Sequence, residues 1–146
     1  MKIKPIINIA SVFNLRSGIG RYTLELVNAL IRRNEMELSY FDGYKVLQNL
    51  PILNPNNKKK FNFKNYIKKI LKKSKFKNLY DLNYYIRSTL FKTSSYRKST
   101  NLYHEPNYIS YKYDGLKVVN VHDLSWIHFP DAHPQERVNF LNKRIE

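Results

Sequence analysis

The chain has 146 residues, which is enough for one domain with a buried core, and it carries 26 Lys and Arg against 11 Asp and Glu, a formal net charge of +15. This charge favours anionic partners such as nucleic acid, acidic lipid or phosphorylated small molecules; the alternative interpretation of the richness in Lys and Asn is genome composition. The lack of cysteine excludes disulfides and thiolate metal sites, and no apolar run approaches the ~20 residues of a membrane span.

The first 43 residues have the pattern of a βαβ unit. The apolar run Ile6 to Ala10 is rich in β-branched residues and predicts a strand that is buried on both faces. Residues 12–18 predict a loop, and residues 20–33 place their apolar side chains on one helical face. Residues 35–41 alternate as a strand does, and Asp42-Gly43 predicts the turn that ends it.

Residues 45–98 form a Lys-rich stretch that we interpret as a variable helical insertion. Residues 45–60 predict a loop, and residues 61–78 have apolar residues at helical spacing with lysines between them. A second helix is predicted from Leu79. The Lys-rich helix has three open interpretations: a helix lying on an anionic membrane, a nucleic-acid-binding face, or an ordinary surface helix that packs its apolar stripe on the sheet.

The last third of the chain alternates strands and helices again. Residues 101–104 and 116–123 predict strands, and a helix is predicted from Pro134, with an apolar pattern that runs without a capping signal to Glu146. Strands alternating with helices predict an α/β domain that has a mostly parallel sheet with helices on both faces.

Three polar segments follow predicted strands: "SVFNLRSGIG", "YHEPNY" and "VHDLS". The carboxyl ends of parallel strands meet at one edge of a sheet, and ligands bind there. We therefore expect these three segments to lie along the same edge.

The glycine-containing loop before the first helix predicts an anion site. Backbone N–H groups at a helix N-terminus attract phosphate, and glycine lets the ligand approach closely because it has no Cβ. Gly18 and Gly20 have this placement, and Arg16 and Arg21 would add positive charge. A tight strand-to-helix turn with no ligand explains the glycines equally well on this loop alone.

The second candidate is His122 with Asp123, at the end of a predicted strand. A neutral His can hydrogen-bond a sugar hydroxyl or assist proton transfer, and a His that is satisfied inside the fold is the alternative. The histidines and Asp123 match no metal-ligand spacing, so no metal site is predicted. The segment "YHEPNYISY" mixes aromatic residues with Glu105 and Asn107, which suits either acceptor binding or loop packing.

Three segments together, "RSGIGRYTLELVNAL", "LYHEPNY" and "VVNVHDLSWIHFPDAHPQERVNFLNKRI", resemble the amino-terminal domain of retaining group-1 glycosyltransferases with the GT-B fold, close to the bacterial mannosyltransferase type. The resemblance implies a Rossmann-like domain that forms the amino-terminal half of a GT-B fold. It further implies that Gly18 and Gly20 approach the donor diphosphate and that the catalytic His122 lies near the transferred sugar. The nucleotide-sugar is a substrate, so neither a cofactor nor a metal is expected.

The resemblance also implies a second, donor-binding domain that these 146 residues do not contain. We therefore expect residues 1–146 to be an acceptor-side domain truncated at its carboxyl end, inactive until a carboxyl-terminal glycosyltransferase domain joins it in cis or in trans. The expected activity is transfer from a nucleotide-sugar donor to a glycan or lipid-linked acceptor, in the cytoplasm or at the inner face of the membrane. Arg16, Asn107, Tyr108 and Asp123 are the weaker candidates for acceptor contacts. The alternative is a basic non-enzymatic module that binds anionic membrane or RNA.

Overall fold

A computed structural model describes residues 3–14, 17–51, 79–96 and 100–145. The predicted Lys-rich helix of residues 61–78, with its membrane and nucleic-acid interpretations, lies outside the described residues. In chain order the described elements are β1 (Pro5–Asn8), a 3-10 turn (Ala10–Phe13), α1 (Gly18–Arg33), β2 (Ser39–Phe41), β3 (Val46–Leu47), α2 (Leu79–Ser95), β4 (Leu102–Glu105), β5 (Leu116–Val119), α3 (Ser125–His128), a second 3-10 turn (Pro130–Ala132) and α4 (Gln135–Asn142).

The strands form a five-stranded sheet in the order β3-β2-β1-β4-β5. β1 pairs in parallel with β2 and with β4, and β4 pairs in parallel with β5. Among the described strands, only β3 runs antiparallel, along the edge of β2. The α/β prediction of a mostly parallel, Rossmann-like sheet is therefore confirmed, and the carboxyl ends of β1, β4 and β5 share one edge as predicted.

Helices cover both faces of the sheet at its centre, whereas all four residues of the edge strand β5 are exposed. Ile6 and Ile7 are consecutive residues of β1, so their side chains point to opposite faces. Ile6 belongs to a core cluster with Phe91 of α2, and Ile7 belongs to a second cluster with Val27 of α1. All four side chains are fully buried. The continuous apolar run in β1 is therefore explained by burial on both faces of the strand.

β3 lies where the sequence predicts only loop, between residues 45 and 60. The predicted Asp42-Gly43 turn explains the difference. Asp42 accepts hydrogen bonds from the N–H groups of Tyr44 (2.8 Å) and Lys45 (2.9 Å), and Gly43 has a positive φ of 98°. The turn reverses the chain, and Val46–Leu47 then pairs with β2. The sequence predicts the tight turn but not the two-residue strand that follows it.

The last helix ends earlier than predicted. Its periodic pattern continues to Glu146, but α4 ends at Asn142. Beyond Asn142 the N–H groups of Arg144 and Ile145 both donate to the carbonyl of Leu141, so the chain closes in a turn. The Arg144 side chain forms an ion pair with Asp81 of α2, and its guanidinium lies 4.5 Å from the ring centre of Tyr84.

Candidate functional site

The site lies where the sheet order changes direction. From β1 the chain passes to β2 on one side, whereas β4 pairs with β1 on the other side. In open α/β sheets this switch point leaves a crevice at the carboxyl ends of the two central strands. Here the last residue of β1, Asn8, donates a 2.6 Å hydrogen bond from Nδ2 to Oε2 of Glu105, the last residue of β4. The two strand ends are therefore joined through their side chains.

Glu105 is buried, with 2% of its surface exposed. Besides Asn8, it accepts hydrogen bonds from the Tyr103 hydroxyl and from the Asn107 backbone N–H, the latter at 3.1 Å. Burial penalises the charged carboxylate more than these donors favour it, so the pKa of Glu105 is raised to about 7. The site thus contains a carboxyl group that changes charge near neutral pH.

A cavity of about 470 Å³ opens beside this pair of residues. Its wall includes five aromatic residues and a larger set of polar ones. The aromatic residues are Tyr80, Tyr84, Tyr108, Tyr111 and Phe140, and the polar ones include Asn8, Ser11, Asn83, Arg87, Glu105, Asn107 and Arg137. An apolar lining with convergent polar groups is the usual composition of a small-molecule site.

The two glycines before α1 have different surroundings. Ser17 is the N-cap residue of α1, and its Oγ accepts a 3.1 Å hydrogen bond from the Gly20 N–H. A Cβ on Gly20 would lie 2.5 Å from the carbonyl oxygen of Asn14 and 2.7 Å from that of Ser11. A Cβ on Gly18 would meet nothing within 4 Å. Gly20 therefore permits close packing of the loop backbone, and Gly18 is the glycine with open space beside it.

His122 is exposed and is held at one ring nitrogen. Its Nε2 lies 2.7 Å from the carbonyl oxygen of Pro106, and because a carbonyl only accepts, Nε2 carries the hydrogen. The rings of Tyr22 and Tyr108 approach the imidazole edge-on, with centroids at 5.2 and 5.8 Å. In the described part of the chain no hydrogen bond reaches Nδ1. In this tautomer Nδ1 is an acceptor for a ligand hydroxyl.

Tyr108 connects the cavity to His122. It lines the cavity, contacts His122 and has left-handed backbone geometry with φ of 56°, which is unusual for a residue with a side chain. Its hydroxyl donates a 2.9 Å hydrogen bond to Oδ2 of Asp123, while Oδ1 of Asp123 accepts from the Ser125 hydroxyl and N–H. These donors, those of Ser125 first, lower the pKa of Asp123 to about 2. Asp123 is therefore an ionised residue that holds the start of α3.

The sequence-predicted site residues lie in three places. Asn107 and Tyr108 line the cavity, His122 and Asp123 lie beside Tyr108, and Gly18 and Gly20 lie in the first turn of α1. Arg16 lies outside the described residues. Ile19 of α1 also lines the cavity, so the first turn of α1 is adjacent to it.

The sequence indicates Glu105 only as a member of the segment "YHEPNYISY", with acceptor binding or loop packing open, and indicates no role for Asn8. Both are polar residues at the ends of otherwise apolar strands, which is the signal that would have singled them out. Among the described residues, no group of three His, Asp or Glu side chains is arranged to hold a metal ion.

A mannosyltransferase is among the proteins to which this α/β chain is similar. The chain is 29% identical over 132 residues to the O-antigen chain mannosyltransferase B of Escherichia coli, a match that covers 88% of this chain and 34% of that protein. The chain thus spans about a third of the length of this curated relative. No family model and no solved structure matches the chain. The similarity supports a glycosyltransferase relationship in general terms.

None of the helices in the described ranges combines the length and the apolar character that a membrane span needs.

The two glycines give the first prediction. We expect Gly20→Ala to lower the free energy of unfolding by about 1–3 kcal/mol, because the added Cβ would overlap two backbone carbonyls that cannot move independently. Gly18→Ala, the matched control, should leave stability unchanged or raise it by up to about 1 kcal/mol, since alanine restricts the unfolded chain and meets no neighbour. Urea denaturation of both variants measures the difference. Equal stabilities would contradict the packing role of Gly20.

Glu105 gives a pH prediction. The unfolded chain releases this proton near the ordinary pKa of 4.5, whereas the native protein keeps it up to about pH 7. Between these values the native state binds more protons, so the free energy of unfolding should fall as pH rises, by roughly 3 kcal/mol in total from this group. Urea denaturation between these two pH values, compared for the unsubstituted protein and for Glu105→Gln, measures this contribution.

Glu105→Gln should remove this part of the slope, because glutamine does not titrate. Glu25→Gln, at an exposed position of α1, is the matched control and should keep the slope of the unsubstituted protein. A slope that survives in Glu105→Gln would show that another group is responsible.

Proposed function

We propose that the chain is the acceptor-side domain of a retaining hexosyltransferase with a GT-B architecture, which transfers a sugar from a nucleotide-sugar donor to a glycan or lipid-linked acceptor. The relationship to a mannosyltransferase supports sugar transfer. The observation that carries the proposal further is the shared sheet edge, where the first turn of α1, the Asn8–Glu105 pair and the loop of His122 follow three adjacent parallel strands.

The first turn of α1 is the proposed contact for the donor diphosphate. Helix N-termini attract phosphate through their N–H groups and their positive dipole end. Negative charge grows on the diphosphate as the sugar departs, so this contact would stabilise the transition state more than the ground state. The open space beside Gly18 supports a close approach at that residue, whereas the Gly20 N–H already donates to Ser17.

His122 is the proposed contact for the transferred sugar. Because Nε2 donates to Pro106, Nδ1 is the nitrogen that would accept a hydrogen bond from a sugar hydroxyl. The adjoining cavity, which Asn107 and Tyr108 line, would receive the acceptor. Asp123 would act through Tyr108, because it accepts a hydrogen bond from the Tyr108 hydroxyl. Arg16 is a further candidate for acceptor binding.

The donor-binding half would come from a carboxyl-terminal glycosyltransferase domain, in cis or in trans. This partner agrees with the length of the E. coli relative, of which the match covers only 34%. The nucleotide-sugar is a substrate, and the proposed reaction uses no cofactor. The proposed location is the cytoplasm, with access to the inner face of the membrane where a lipid-linked acceptor would lie.

The proposal predicts activity only in the two-domain form. We expect the 146-residue chain alone to give no useful turnover with nucleotide-sugars, and the chain joined to a carboxyl-terminal donor domain to transfer sugar. In that form Gly18→Val should lower the transfer rate per folded molecule at least ~100-fold, a barrier increase of about 2.7 kcal/mol, because the branched side chain occupies the space that the phosphate needs. His122→Ala should also slow transfer, and both melting temperatures should stay close to that of the unsubstituted enzyme.

Glu25→Val is the matched control for Gly18→Val. It introduces the same side chain on the same helix, at an exposed position away from the first turn, and should leave turnover unchanged. Normal turnover in folded Gly18→Val enzyme would exclude the diphosphate contact. Rapid transfer by the isolated chain would exclude the proposal that a second domain is needed to bind the donor.

A further inference from the structure

The edge strand β5 is exposed on both faces, which is unusual for a strand of a parallel sheet. Leu116 (74% exposed) and Val118 (45%) lie on one face, and Val119 (38%) lies on the other. Strands of parallel sheets normally lie between two layers of helices, and their apolar composition reflects that burial. The sequence of β5 is therefore typical of an interior strand, although β5 lies at an edge of the described sheet.

The exposed apolar residues continue beyond β5 into the segment that contains α3. Four more large apolar side chains are exposed there: Val121, Leu124, Ile127 and Phe129. Residues 116–129 are called the β5 surface below. Concentrated apolar exposure marks an interaction site, because an uncovered apolar edge strand promotes aggregation.

The backbone of β5 indicates which kind of element binds there. The N–H of Asn120 donates to the carbonyl of Glu105 at 2.9 Å, so Asn120 directs its backbone groups toward β4. Successive residues of a strand direct these groups to alternate sides, so Lys117 and Val119 direct theirs away from β4. Among the strands that the structure describes, none lies on that side. A further strand would satisfy these groups, and helices on both sides of it would cover the apolar faces.

Charge distinguishes between the possible partners. Lys117 and Asp123 are the only Lys, Arg, Asp or Glu residues between positions 116 and 130, although the whole chain carries a net charge of +15. A neutral apolar surface does not attract nucleic acid or an anionic membrane, both of which bind through positive charge. A second copy of the chain would bring another +15, and this repulsion opposes pairing of two copies.

The relative in E. coli indicates where a partner of the required kind occurs. The match covers 88% of this chain but only 34% of that protein, which therefore has further polypeptide beside a domain like this one. The carboxyl-terminal polypeptide of the proposed glycosyltransferase is the corresponding partner.

We propose that β5 is an interior strand of a larger parallel sheet, which a strand with flanking helices from that carboxyl-terminal polypeptide completes. The inference rests on the proposed function for the source of the partner. The added strand supplies the missing backbone hydrogen bonds, and the helices pack on the apolar side chains. A parallel strand beside β5 ends at the same edge of the sheet, so it brings partner residues next to the loop of His122.

The test compares residue-resolved amide hydrogen exchange in two proteins. One is the 146-residue chain, and the other is this chain joined after Glu146 to the part of the E. coli relative that the match does not cover. We expect the amides of Lys117 and Val119 to exchange at least ~100-fold more slowly in the fusion, because a strand then accepts their hydrogen bonds. The amide of Val118, which faces β4, is the matched control and should exchange slowly in both proteins. The amide of Val46, at the opposite edge of the sheet, should not change.

A charged substitution tests the apolar surface separately. Leu116→Lys should remove most of the added protection in the fusion, whereas Tyr85→Lys, at an exposed position of α2, should leave it unchanged. In the isolated chain Leu116→Lys should shift the melting temperature by less than about 2 °C, because the side chain is largely exposed. This measurement and the exchange rates of the isolated chain decide the question if the fusion does not fold. A large loss of melting temperature would show that the chain itself buries β5.

Three further results would overturn the inference. Slow exchange of Lys117 and Val119 in the monomeric chain would mean that its own residues cover β5. Protection that rises with the concentration of the isolated chain would identify a second copy as the partner. Fast exchange in a folded fusion would mean that no strand is added. Transfer by such a fusion would reject this inference alone, and protection of β5 without transfer would reject the proposed function alone.

Discussion

The hydrogen bond between Asn8 and Glu105 joins two strands whose residues are far apart in the sequence, and the cavity is built around it. A carboxyl group buried to this degree is costly unless donors surround it, and here three donors do so. Those donors come from β1, from β4 and from the turn after β4. Satisfying one buried acid therefore sets the relative positions of Asn8, Tyr103 and Asn107 at the edge where ligands bind in this class of sheet.

The loops that leave this edge of the sheet position the remaining parts of the candidate site. The turn that follows Glu105 contains Pro106, whose carbonyl holds His122, and Tyr108, which reaches both the cavity and His122. On the other side, the loop after β1 packs against Gly20 and leads into the first turn of α1. The proposed diphosphate contact, sugar contact and acceptor cavity thus share one framework, and a change at Glu105 should affect all three.

Local patterns predict four of the five strands, the helices and the common edge. They do not predict β3, which is two residues long and depends on the turn at Asp42-Gly43. The Asn8–Glu105 bond could not be predicted in this way, since its partners are 97 residues apart and each looks like an ordinary polar residue that ends a strand. The two glycines likewise cannot be distinguished by a local pattern. In the sequence Gly18 and Gly20 form one motif, but in the structure the Asn14 carbonyl packs against Gly20 alone, so the two glycines have different roles.

The central claim is that the cavity beside the carboxyl ends of the adjacent strands β1 and β4 receives the acceptor sugar. The most direct measurement is a crystal structure of the chain with a bound disaccharide, which locates the sugar without reference to activity. The account predicts a pyranose ring in the cavity, with a hydroxyl within hydrogen-bond distance of Asn107, the exposed amide of the cavity wall. Sugar bound elsewhere on the domain, with this cavity empty, would contradict it.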